Sequence, residues 1–149
     1  MNEIKKEIEF SVPSQKVWAL WKDVEKTSEW VDGVSLSRIM SEAKEGFDLH
    51  WREKCKVGGF DVQVDQYVKK WDEGKKVAVH SKLPMGGTMD RTIEFFDQGE
   101  NQSKVHLTLT WNLGMAASLF SDKQMEDMMD RSLDRTAKNW KEKVESNAE

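Results

Sequence analysis

One cysteine, two prolines and one tyrosine stand in a chain of 149 residues that also carries seven tryptophans and eight methionines. A lone Cys55 cannot close an internal disulfide or build a cysteine-based zinc cluster. Nothing therefore points to secretion or to a structural metal, and the cytoplasm is the expected compartment. No run of about 18 apolar residues occurs, and residues 1–10 are broken every few positions by Glu or Lys, so neither a transmembrane helix nor a signal-peptide core is expected. Positive charge is not in excess: 23 Lys and Arg face 27 Asp and Glu, a formal charge of −4. That excludes the broad positive field of a general nucleic-acid binder. Repeats, linkers and low-complexity stretches are missing as well. With 38% apolar and 34% charged residues, the chain is polar for a globular protein yet too rich in large apolar groups to stay disordered. Its length suits one domain over residues 1–149.

What is present is a change of period along the chain. Residues 3–10 alternate, with Ile4, Ile8 and Phe10 on one parity and Glu3, Lys5, Glu7 and Glu9 on the other, as in a half-buried strand ended by Pro13. Ser14 is an N-cap candidate for a helix whose apolar stripe is Val17, Leu20, Trp21 and Val24, with Trp18 at its edge. Residues 27–33 open on Thr27 and stop at Gly33, which predicts a second, very short helix. The period then becomes two. Six strands are predicted at 35–43, 46–57, 59–71, 75–83, 87–97 and 103–113, joined by turns short enough to force antiparallel neighbours. Past Gly114 the period returns to 3.6: Met125, Met129, Leu133, Thr136, Trp140 and Val144 share a face, with Met128 and Ser132 at its border. Ser121-Asp122-Lys123-Gln124 has the form of a capping box, so the apolar stretch 115–120 is a joint before a long C-terminal helix.

Strand, helix, short helix, six strands and long helix make one α+β chain. A seven-stranded antiparallel sheet then has one face to bury, with the long helix and the short pair to cover it. The opening, with Pro13, Val17-Trp18, Asp23, Trp30 and Gly33-Val34, is similar to the "P-x-x-x-V-W … D … W … G-V" start of the START-like, or SRPBCC, superfamily with the helix-grip (Bet v 1-like) fold, near its polyketide cyclase/dehydratase and lipid-transport group. The resemblance covers essentially the whole chain. It implies a curved sheet gripping the terminal helix around an apolar cavity. It assigns no catalytic residue, because the superfamily spans lipid and sterol carriers, quinone-binding proteins, cyclases and chaperone-ATPase activators.

Parity then selects the side chains that face the grip. Phe47, Leu49, Trp51, Glu53, Cys55 and Val57 share one side of the second predicted strand of the six. Phe60, Val62, Val64, Gln66 and Val68 follow on the next, then Val77, Val79, Ser81 and Leu83. Met89, Arg91, Ile93 and Phe95 precede Val105, Leu107, Leu109, Trp111 and Leu113. Four polar groups intrude: Glu53, Gln66, Ser81 and Arg91. A carboxylate on an apolar wall must pair, take up a proton or meet water, which is how a general acid or base is made. Glu53 is thus the candidate proton carrier. Arg91 either clamps a ligand carboxylate or enolate oxygen or pairs with Glu53. A bulge would reverse every parity beyond it. His50, His80 and His106 fall on the polar parity of three separate strands, so no shared metal site and no cofactor is expected. Cys55 reads as an inert buried filler. Gly58-Gly59 and Gly86-Gly87 match no phosphate-binding loop and read as turns, the second of them, with Pro84 and Met85, at the cavity rim.

The expected ligand set is Trp51, Glu53, Gln66, Ser81, Arg91, Leu109, Trp111, Met125, Met129, Leu133 and Trp140, with Met128, Trp18, Trp21 and Trp30 as further apolar wall. The leading expectation is binding or transport of an apolar or amphipathic small molecule. The alternatives are a cyclase/dehydratase-like enzyme using Glu53 and Arg91, and an interaction module resembling the chaperone-ATPase activators. Self-association, if any, is expected to be a weak homodimer.

Overall fold

The computed structural model describes residues 2–57 and 59–146, and for Val57 the backbone alone. Gly58 and the inward placement expected of the Val57 side chain lie outside the described residues. Strands β1 (Glu3–Phe10), β2 (Val34–Ile39), β3 (His50–Val57), β4 (Phe60–Asp72), β5 (Lys76–Lys82), β6 (Thr88–Asp97) and β7 (Ser103–Asn112) form one antiparallel sheet in the order β1-β7-β6-β5-β4-β3-β2. Helix α1 spans Ser14–Lys22 and α2 spans Asp122–Ser146. This is the α+β architecture expected from the period changes, in the helix-grip arrangement that the resemblance implies.

Several boundaries moved, each for a local reason. Ser14 is not the cap of α1: it is the helix's first residue, and its backbone N–H donates to Asp97 Oδ1 of β6 at 2.9 Å. A side chain remote in sequence thus satisfies the orphan donor. The expected helix at 27–33 is instead a 3-10 segment over Val24–Glu29, where the Thr27 hydroxyl donates to the Val24 carbonyl at 2.6 Å. Such back-bonding competes with a regular α-helix. Strand β2 ends at Ile39 rather than 43, and β3 begins at His50 rather than 46. Residues 46–49 turn instead, with Gly46 at φ +90 and its carbonyl accepting from the Leu49 N–H. Phe47, expected inward, is therefore 64% exposed, whereas Leu49 is buried. The capping box at the start of α2 is present in full: Ser121 N–H donates to Gln124 Oε1 at 2.9 Å and Gln124 N–H to Ser121 Oγ at 3.1 Å.

Two irregularities bend the sheet, one between Val34 and Leu36 and one between Val68 and Lys70. Past the second, Trp71 pairs with Val77 and joins the core that its parity in the uninterrupted strand would have denied it. The change completes an aromatic cluster. Trp18 stacks with Trp21 at 5.5 Å and meets the edges of Trp71 and Phe95 at 5.0 and 5.2 Å, while Trp21 reaches Trp51. Phe95 in turn touches Trp140 of α2, which stacks on Trp30 at 4.6 Å and meets Phe10. All the tryptophans but Trp111 join this plug, which fills one half of the concave face.

Helix α2 bridges what remains. Its C-terminal half is held by buried Trp140 and Val144, and its first turns by buried Met125. Between these ends, polar clasps hold it on both flanks. Lys6 of β1 reaches Asp130 at 2.6 Å and Asp134 at 3.0 Å. Asp32 accepts from Arg135 Nη2 at 2.9 Å and Ser132 Oγ at 3.0 Å, and its N–H donates to Thr136.

On the outside, Glu73 in the β4–β5 turn secures the plug, accepting from the indole N–H groups of Trp71 at 2.7 Å and Trp18 at 3.0 Å and from Lys22 at 3.3 Å. The two indole donors and Lys22, against some desolvation, hold its carboxyl below the usual range. A depressed folded-state value stabilises the fold above about pH 4.5, the ordinary carboxylate value, and the contribution fades as the pH falls through the lowered one. Glu73→Ala is expected to cost about 1 kcal/mol in urea unfolding at pH 7. The same pair of proteins compared at pH 3 should differ by markedly less.

Candidate functional site

The half of the concave face that the tryptophans do not fill is open, and between it and α2 lies a cavity of about 920 Å³. That is at the large end for small-molecule sites, which run from about 300 to 1,000 Å³. Its wall is mainly aliphatic and thioether: Val64, Ile93, Leu107 and Leu109 from the strands, and Met125, Met128, Met129 and Leu133 from α2. Trp21, Trp30 and Trp140 close it on the plug side. At the other end, Leu83, Pro84 and Met85 from the β5–β6 loop meet Ala116, Leu119 and Phe120 from the joint before α2. These loops press together so closely that a Cβ at Gly114 would sit 2.7 Å from the Gly86 backbone. Gly114 also has φ +61, so only glycine suits both the approach and the backbone. Phe60, Met85 and Leu119 line the cavity while remaining substantially exposed, which marks its rim.

The register places the polar intruders. Trp51, Gln66, Ser81, Met89 and Trp111 lie directly opposite one another across β3, β4, β5, β6 and β7, forming one row. Glu53 sits one pleat beyond this row on β3, opposite Val64, and Arg91 one pleat beyond it in the opposite direction on β6, opposite Val79. Three strand spacings separate β3 from β6, about 14 Å at the backbone. Glu53 and Arg91 accordingly form no ion pair, which removes that expectation.

Each instead meets neutral groups. Glu53 is 4% exposed and accepts from the Trp51 indole at 2.8 Å, with the Cys55 thiol 3.8 Å from its other oxygen. The Arg91 guanidinium donates through Nη2 to Gln66 Oε1 at 3.1 Å, and the same oxygen accepts from the Ser81 hydroxyl. The Arg91 Nε–H is buried without a partner among the described residues. Among the described residues no acidic side chain forms an ion pair with Arg91, and no basic one with Glu53. Burial, then Glu53 close by, push the Cys55 thiol up to about 12, with Arg91 opposing. Cys55 is therefore a neutral thiol of the wall.

Nine of the eleven expected ligand residues line the cavity: Glu53, Gln66, Ser81, Arg91, Leu109, Met125, Met129, Leu133 and Trp140. Trp51 and Trp111 do not. Both face inward, but Trp51 is packed into the plug and spends its indole on Glu53, and Trp111 is buried among Ile4, Leu109, Leu113 and Met125. Lys6 is on the wall although no expectation named it; its position on the parity of Ile4 and Ile8 is the signal that would have found it. The Val31-Asp32-Gly33 edge left no such trace, because a loop has no period. His50, His80 and His106 stand on β3, β5 and β7, away from the cavity, each with an acidic neighbour: Asp65, Asp90 and Glu7.

In comparison with known proteins, the profile of the family described as polyketide cyclase/dehydrase and lipid transport matches residues 1–145. A START superfamily protein from Mycobacterium smegmatis superposes with a TM-score of 0.81 at 13% identity, covering 98% of this chain and 99% of its own. The Zhui aromatase/cyclase from Streptomyces sp. R1128 gives 0.79 at 14% identity, with 99% and 95% covered. A protein from Thermus thermophilus gives 0.78 at 23% identity, with 99% of both chains covered. No protein of curated function matches in sequence. Identities this low show a shared fold.

The chemistry of Cys55 has a direct readout. Iodoacetamide at pH 8 is expected to alkylate it at least about a hundredfold more slowly in the folded protein than after denaturation, because the thiolate is the reacting form. Mass spectrometry of timed samples measures both rates.

Proposed function

The chain belongs to the polyketide cyclase/dehydrase and lipid transport family, and from that premise we propose that it is a non-catalytic binding or carrier protein for an apolar or amphipathic small molecule held between the sheet and α2. The observation that carries this reading is the 920 Å³ cavity itself, walled by aliphatic, methionine and tryptophan side chains with only a few polar groups on its sheet side. Affinity comes from burial: a chain of ten methylenes taken out of water is worth about 8 kcal/mol before the cost of association is subtracted. Orientation comes from Glu53, Gln66, Ser81 and Arg91, and the methionines of α2 adapt to the ligand's shape. No described helix is long and apolar enough to cross a membrane, and with its free Cys55 we place the protein in the cytoplasm.

A second reading has one observation in its favour. Glu53 is a buried carboxylate on the cavity wall that, among the described residues, forms no ion pair with a basic side chain, the setting in which a general base is built. In a cyclase- or dehydratase-like reaction it would take a proton from the substrate, with Arg91 stabilising the developing oxyanion.

Binding of a fluorescent apolar probe such as N-phenyl-1-naphthylamine separates the two. Leu109→Trp, which puts bulk into the cavity, is expected to weaken the probe at least about tenfold, and Glu53→Gln to change it by less than about threefold. Met129→Trp serves as the second filling variant should Leu109→Trp unfold. Native mass spectrometry and the organic extract of the purified protein identify any resident ligand. Turnover of that ligand that vanishes in Glu53→Gln would establish the enzyme reading instead.

A further inference from the structure

The electrostatics of the cavity narrow the ligand class. Two side chains that ordinarily carry opposite charges line one apolar chamber, and the strand order holds them apart, so neither serves as the other's counter-ion. For Glu53 the protein supplies local compensation, an indole donor on one oxygen and a thiol near the other. For Arg91 it supplies much less. The guanidinium has five N–H donors and no acceptor capacity. Among the described residues it makes one hydrogen bond, through Nη2 to Gln66, and that acceptor is a neutral amide oxygen already shared with Ser81. The Nε–H is buried and unpaired. The Arg91 side chain is half-buried, a setting that disfavours a cation with no anion beside it, and a buried unpaired donor adds its own penalty. The Gln66–Ser81 pair meanwhile fixes the fork to one side, holding it against the sheet wall rather than letting it swing to water.

We propose that the missing counter-ion is the ligand's own, and that the cavity selects a long-chain monocarboxylate whose acid group seats on the Arg91 guanidinium while its alkyl chain runs along Leu109, Met125 and Met129. The planar fork matches a carboxylate through parallel N–H donors on its two terminal nitrogens, the buried Nε–H lying behind them. A phosphate-headed lipid, with more charge to neutralise, would find a single unengaged cation here: of the others on the wall, Lys6 is held by Asp130 and Asp134, Lys56 by Asp61 and Arg135 by Asp32. This assignment rests on the proposed binding function and adds the head-group chemistry to it.

The test compares hexadecanoic acid, hexadecan-1-ol and methyl hexadecanoate, which share a chain and differ at the head, by isothermal titration or probe displacement at pH 8. The acid is expected to bind at least about tenfold more tightly than the alcohol and the ester. Arg91→Gln should bring the three within about threefold of one another by weakening the acid alone; Arg91→Met is the alternative where the amide variant is unstable. Equal binding of all three by the wild-type protein would overturn the carboxylate assignment while leaving the apolar cavity function intact. Tighter binding of hexadecyl phosphate than of the acid would overturn it in favour of a phosphate head. If none of the three binds and the apolar probe also fails, the binding function falls and the carboxylate assignment with it. Since the acid-to-alcohol ratio is read on the wild-type protein, the result does not depend on any variant folding.

Discussion

A seven-stranded sheet that curls around a single helix has more concave apolar surface than that helix can cover, and the shortfall governs the rest of this structure. Buried apolar area must meet other apolar groups or remain as a void. Here the surface is divided. Indoles and phenyl rings from β1, α1, Trp30 just past the 3-10 segment, β3, β4, β6 and α2 interlock over one half, each pair a few ångströms apart and mostly edge to face. Over the other half, α2 packs through Met125 against Ile4, Leu109 and Trp111, and the space left beside these contacts is the cavity. The helix stays in position there because Lys6 and Asp32 clasp it from either side with charged and hydroxyl partners.

The same division explains why the polar groups lie where they do. At the outer edge of the plug Glu73 takes up two indole N–H groups, whereas those of Trp30 and Trp140 find no partner among the described residues. In the open half, polar atoms face a space that a ligand can enter, so incomplete pairing is sustainable there. Gln66 and Ser81 sit between Glu53 and Arg91 and keep them from collapsing into one ion pair. The chamber therefore presents an acceptor at one end of a polar diagonal and a donor fork at the other.

Much of the site was legible in the alternation of single strands. Glu53, Gln66, Ser81 and Arg91 stand on the apolar parity of β3, β4, β5 and β6, and a strand that buries one face leaves a polar residue on that parity nowhere else to point. Lys6 obeyed the same rule. Parity failed where the backbone departs from a regular strand: at Phe47, displaced into a turn, and at Trp71, turned inward by the bulge after Val68. It was silent about Asp32 and about the helix cap that Asp97 provides, since both act across long sequence separations.

The chain's periods, its turns and the capping box at Ser121 by themselves determined the order of elements, the antiparallel sheet, the long terminal helix and which side chains face the grip, because all of these depend on neighbours a few residues apart. Only the tertiary structure decided that the tryptophans gather into one plug, that Trp51 and Trp111 leave the cavity wall, and that Glu53 and Arg91 stay unpaired. Those outcomes turn on register between strands and on the volume left under α2. Volume and register are properties of the assembled sheet, set by how whole elements pack, and no local pattern encodes them.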